Sequence, residues 1–173
     1  MIGIINASPL IYLGKIGALY LVPKLFTKCY TTSLVRNEVL GEKDIPEFSI
    51  LDASFLDWLS VMEPTNNQLI KRLEQFGIHN GEATVIALAK ELQDKKNESV
   101  VIIDDLAARG IARTLDLKVT GTLGILLKAL KLNYIDLEKS RDYIHNLVEN
   151  TAFRISSALY SRILKEVEKT EEK

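Results

Sequence analysis

Two adjacent carboxylates, Asp104-Asp105, close the apolar run Ser-Val-Val-Ile-Ile at 99–103. Acidic residues are rare in strands, so a pair at the edge of a buried one needs a reason. Capping of a following helix accounts for either Asp singly, and not readily for both. Glu82 falls in the first turn of a helix expected over 81–95, where a negative charge also favours the helix dipole by ~0.3–1 kcal/mol. Glu38 lies among Leu34, Val35 and Val39, a place that equally suits a solvent-facing helix residue. Asn6 closes a further apolar run, Gly3-Ile4-Ile5, and can simply bond to the turn behind it. Gathered on one edge, the four acids would repel and disfavour each other's charged forms. A hard divalent cation such as Mg²⁺ removes that penalty, prefers oxygen ligands and keeps several waters. A centre of that kind activates water and stabilises a leaving oxygen in phosphodiester cleavage. No Cys/His cluster competes for a softer metal, and His79 and His145 stand far apart.

The intervening residues read as the elements that gather these groups. The first strand is followed at once by a helix, with Ser8 as its expected N-cap and Pro9 in its first turn. Lys28–Thr31 reads as a second strand, and Thr32 or Ser33 caps the helix that carries Glu38. A helix over 48–58, an edge strand over 59–62 and a helix over 66–76 ending at Gly77 follow. Asn80 can cap the 81–95 helix, whose Ala83, Ile86, Ala87 and Leu88 repeat at helical spacing. The 99–103 strand is apolar on both faces, as a central parallel strand is. A helix over 106–115, the strand Lys118–Thr120, and helices over 122–132, 137–150 and 156–169 complete the chain, with a Lys-Glu tail from Lys165 expected to fray. Strands alternating with helices imply an α/β fold: three layers, with a central parallel sheet of four to five strands and helices on both faces. Sites in such sheets lie beyond the carboxyl ends of the strands. Asn6, Asp104, Asp105 and Thr120 fall there.

Composition sets the outer limits. The chain has 173 residues with 22 Lys plus Arg against 23 Asp plus Glu, a net charge of −1. That length suits one domain, and 47% hydrophobic with 26% charged residues is globular. The longest uncharged run, Met1 to Gly14, is 14 residues, short of the ~20 needed to span a bilayer. It lacks a basic leader, so it reads as folded protein and not as a secretion signal. The single Cys29 fits a reducing cytoplasm. A charge near zero argues against a wholesale nucleic-acid coat and leaves room for a local basic rim, with Lys15, Arg109 and Arg113 as its candidates.

In order, Ile5-Asn6-Ala7-Ser8-Pro9-Leu10-Ile11, Glu38, Asn80-Gly81-Glu82-Ala83, Ile103-Asp104-Asp105 with Arg109, and Val119-Thr120-Gly121-Thr122-Leu123-Gly124 resemble a PIN-domain protein, most closely its toxin-like subgroup with an extended C-terminus. The resemblance covers residues 2–135 well and implies a single PIN-like domain over 1–173, with 136–165 as extra C-terminal helices and 166–173 as a fraying tail. It implies an Mg²⁺- or Mn²⁺-dependent endoribonuclease, often the dimeric toxin of a toxin–antitoxin pair, silenced by a small antitoxin protein. Glu38, Glu82 and Asp104 or Asp105 would be its acids. Asn6, Glu82, Asp104 and Asp105 would hold metal, with Ser8, Thr120 and Thr122 in support. RNA would be single-stranded or looped, where bases can splay apart. One departure stands out: Asn6 occupies a position where the family usually has Asp. An amide oxygen still binds a hard cation but brings no charge, so a catalytically impaired binding protein is the rival expectation. A phosphoacceptor domain, which also places an Asp pair at a strand end, fits poorly because this pair comes late in the chain.

Overall fold

The computed structural model describes residues 1–168. β1 (Ile2–Ile5) leads into α1 (Ala7–Lys15), a 3-10 turn (Leu19–Leu21) and α2 (Val22–Leu25). β2 (Lys28–Thr31), α3 (Ser33–Val39), α4 (Phe48–Asp57) and β3 (Leu59–Val61) follow, then α5 (Asn67–Gln75) and α6 (Asn80–Asp94). β4 (Ser99–Ile102), α7 (Leu106–Thr114), β5 (Lys118–Thr120), α8 (Thr122–Lys131), α9 (Leu137–Glu149) and α10 (Ser157–Glu168) complete the order.

All five strands are parallel, in the order β3-β2-β1-β4-β5. This agrees with the three-layer α/β arrangement read from the sequence. Right-handed crossovers dictate the layers. Steps leftward from β1 to β2 and β3 put α1, α3 and α4 on one face. The return to β4 and the step to β5 put α5, α6 and α7 on the other. The helix contacts largely follow suit: α1 packs on α3, α4 and α8, and α6 packs on α5 and α7, while α3 also meets α6 where Gly81 approaches Glu38 and Val35. α9 covers α8 and α10 covers α9. The direction of winding reverses between β1 and β4, and the crevice at such a reversal is where open parallel sheets bind ligands.

The core runs along both faces of the sheet, with Ile4, Ile5, Val101 and Ile102 fully buried in the middle strands. Leu19, Leu21 and Phe26 are buried, and Phe55 and Trp58 are half-buried against the core, so these residues pack the monomer; Phe48 is half-buried. The apolar side chains most open to solvent are Leu56, Phe76 and Leu106. None of the described helices is long and apolar enough to cross a membrane.

Several boundaries differ from the sequence expectation. α1 begins two residues early, with Asn6 and not Ser8 at its N-cap. The sheet causes this. The Asn6 N–H donates to the Ile102 carbonyl at 3.0 Å, so the ladder holds Asn6 extended and the chain turns immediately afterwards. Pro9 is tolerated because the first-turn N–H groups of a helix have no intrahelical partner. α6 likewise starts at Asn80 with His79 as its N-cap. Thr32 precedes α3 without capping it through its side chain. α10 continues through Glu168 with Val167 buried, four residues into the stretch expected to fray. Lys169 and the rest of that tail lie outside the described residues.

Candidate active site

The carboxyl edge is braced by hydroxyls that the sequence reading did not single out. Thr31 Oγ1 donates to the Ile5 carbonyl at 2.7 Å, tying the ends of β1 and β2 together. The Thr32 and Thr84 hydroxyls meet at 2.9 Å, and Thr84 Oγ1 reaches the Gly81 carbonyl at 2.7 Å. Thr31, Thr32 and Thr84 are all buried. They hold the first turn of α6 against the ends of β1 and β2, and with it Gly81 and Glu82. Thr31 and Thr32 stand at element ends and Thr84 lies inside α6, so only the tertiary pairing shows their use.

Asn6 Oδ1 is buried with no hydrogen-bond partner. A Cβ placed on Gly81 would lie 3.5 Å from Glu38 Oε2 and 3.9 Å from Asn6 Oδ1, so Gly81 leaves open a space that both oxygens border. Glu82, the next residue, is half-buried. Burial, then the Asp105 carboxylate, pushes its proton affinity above the usual glutamate range; His79 opposes this and Glu38 adds to it. Asn6, Glu38, Glu82 and Asp105 therefore share one neighbourhood, although they come from four separate chain segments.

Asp104 belongs elsewhere. Its Oδ1 accepts the Thr122 N–H at 2.8 Å and its Oδ2 accepts the Thr122 hydroxyl at 2.6 Å. α8 has Gly121 at its N-cap, which offers no side chain, and the carboxylate from the end of β4 caps it instead. Burial raises the Asp104 proton affinity, against the pull of the Thr122 bonds and of Arg109. Asp105 does two things: Oδ1 accepts the Ala108 N–H at 2.8 Å as the N-cap of α7, and its charge is felt at Glu82. The doublet thus divides: Asp104 holds α8, and Asp105 faces the acidic edge.

The supporting residues divide as well. Thr122 orients a carboxylate, that of Asp104. The Thr120 hydroxyl presses on Gly124, where a side chain would collide with it. Ser8 sits inside the first turn of α1 and does not cap it. Lys15 is not at this edge. α1 leaves the carboxyl edge and runs back, which puts its last turn roughly 12 Å away along the helix axis, where Lys15 Nζ lies 3.8 Å from Glu47 Oε1. Arg109, in contrast, lies early in α7 and donates to the Ile103 carbonyl at 3.0 Å. His79 belongs to no Cys/His cluster in the sequence, yet its position at the α6 N-cap makes it a neighbour of Glu82.

A parallel α/β sheet with an acidic edge at its winding reversal is the class of protein described so far. The profile of a family described as a PIN domain matches residues 2–169, and the chain belongs to that family. No curated protein matches the sequence. PIN domains are generally metal-dependent nucleases. The residues present fit a divalent cation: an unpartnered buried amide oxygen, an adjoining carboxylate, and a second acid whose charge is held at a cost. Among the described residues no three His, Cys, Asp or Glu side chains form a ready-made cage. Mg²⁺ does not require one, since it is commonly held by one or two carboxylates and water.

Proposed function

We propose that this protein is a metal-dependent endoribonuclease that hydrolyses RNA phosphodiester bonds. The observation that carries the reading is the shared space at Gly81: the buried, unpaired Asn6 Oδ1 and Glu38 Oε2 border it, and Glu82 adjoins it. Asn6 and Glu38 would hold Mg²⁺ or Mn²⁺, with Glu82 and Asp105 completing the negative charge. When bound, such an ion supplies an activated water and charge stabilisation for the leaving oxygen. Glu82 would help hold the ion, whose positive charge would offset the burial and the Asp105 repulsion that raise its proton affinity. Asp105 aims α7 by capping it, and Asp104 fixes α8 through Thr122. The toxin role, the small antitoxin partner and the homodimer extend this proposal on the strength of the family resemblance.

The test is cleavage of structured RNA with Mn²⁺ by the parent chain and by Glu82→Gln. Metal-dependent cleavage that falls by orders of magnitude in Glu82→Gln supports the reading; equal residual activity removes Glu82 from it. The second reading, a catalytically impaired binding protein, is motivated by Asn6. A cation at 100 times its dissociation constant adds ~2.7 kcal/mol of stability, so no melting shift with millimolar Mn²⁺ would favour that reading.

A further inference from the structure

Next to the acidic edge, α7, β5 and α8 form one wall of a cleft of about 460 Å³, and residues 153–163 form the other. Arg109 and Arg113 line it from α7, Arg154 from the loop before α10, and Arg162 from α10. Asp104 also lines it, with both oxygens already engaged by Thr122. Arg109 spends one N–H on the Ile103 carbonyl, while Arg113, Arg154 and Arg162 have no ion-pair partner among the described residues. Leu127, Phe153 and Leu159 give the cleft an apolar floor. Guanidinium groups collected around one hollow in which Asp104, already occupied, is the one acid among the described lining residues repel one another, and a polyanion relieves that repulsion. Arginine binds phosphate bidentately, and nucleobases rest on apolar and aromatic surface without sequence preference.

We propose that this cleft is the track of the substrate strand, along which single-stranded RNA leaving the acidic edge runs between α7 and α10 with its phosphates on Arg109, Arg113, Arg154 and Arg162. The proposal rests on the phosphodiesterase reading above and adds to it the path of the substrate and a purpose for the C-terminal helices. Asp104 joins the two regions: it lines the cleft, and its neighbour Asp105 faces the acidic edge. A protein ligand with acidic side chains is the competing occupant. Contiguity with the edge where a phosphodiester would be cut favours the nucleic acid.

Binding without cleavage tests it. The full chain carrying Glu82→Gln is titrated in chelator with a short fluorescent single-stranded RNA across a range of salt, with and without Arg154→Gln plus Arg162→Gln. Both arginines are exposed, and a melting curve checks that the fold is kept; single Arg162→Glu serves as a second variant. The expected result is weaker binding and a log–log salt slope shallower by about 1.4, or ~0.7 for each lost phosphate contact. Unchanged affinity and slope in a folded variant overturn the proposal. Loss of binding to a polyglutamate peptide with RNA binding intact also overturns it and gives the cleft to a protein ligand. Suppression of RNA binding by inorganic phosphate at equal phosphate concentration does the same, since it would reduce the cleft to a simple anion site. RNA binding that depends on these arginines in a chain whose parent shows no Mn²⁺-dependent cleavage sinks the nuclease reading and leaves the cleft standing. Cleavage whose KM ignores the arginines sinks the cleft alone.

Discussion

Asn6 brings an oxygen without a charge to a place where charge is already crowded. The repulsion that remains falls on Glu82, raised by burial first and by Asp105 next. Its carboxyl titrates near 4.3 in an unfolded chain and higher in the fold, so ionisation at neutral pH costs folding free energy. That cost is relieved as pH falls through the folded value toward the unfolded one. In chelator, Glu82→Gln should therefore melt above the parent at neutral pH, and the gap should close once the pH drops below the unfolded value; equal melting temperatures at neutral pH would contradict this. Gly81 separates site from fold in another way. A methyl there meets Glu38 Oε2 and Asn6 Oδ1 at 3.5 and 3.9 Å, ordinary contact distances, and Ala favours a helix over Gly by ~0.5–1 kcal/mol. Gly81→Ala should keep or gain stability and lose most of its Mn²⁺-induced melting shift. A full shift in that variant would place the cation elsewhere.

At the level of elements, the alternation of apolar runs and amphipathic segments was legible, and β2 and β5 match their expected limits residue for residue. The division of labour within Asp104-Asp105 was not. Both residues follow the same strand, and what distinguishes them is Thr122, 18 positions further on. Removing the partner of a helix-capping group costs ~0.5–2 kcal/mol, and Thr122 is fully buried, so Asp104→Ala and Thr122→Val should each lower stability by about that much. Their double mutant should lose less than the two combined, because one bond pair is shared. Additive losses from a double-mutant cycle of chemical melts would show that the pair does not act together. The arginine cleft was half legible: Arg109 and Arg113 lie near a turn known to face the edge, but Arg154 and Arg162 join them only through the packing of α10 over α9.

For the whole molecule, the five-strand sheet and its carboxyl edge followed from the order of elements, while the helix start after Asn6 was decided by its long-range bond to the Ile102 carbonyl, which no local pattern carries. Cys29 reports on the integrity of that sheet. It is 3% exposed in β2, and burial pushes its thiol up to about 12. A thiol reagent in mildly alkaline buffer should leave the native protein unlabelled and react in step with global unfolding in denaturant. Rapid labelling without denaturant would mean that β2 opens locally.

The central strand has one more effect, on the order of manufacture. β1 takes β2 as its first neighbour and must wait for residues 99–102 before the second arrives. A ribosome that has made only the first half of the message carries a chain with an open sheet edge, without Asp105 and without the winding reversal that builds the crevice. Such an unfinished product carries Asn6 and Glu38 without the completed edge that gathers them.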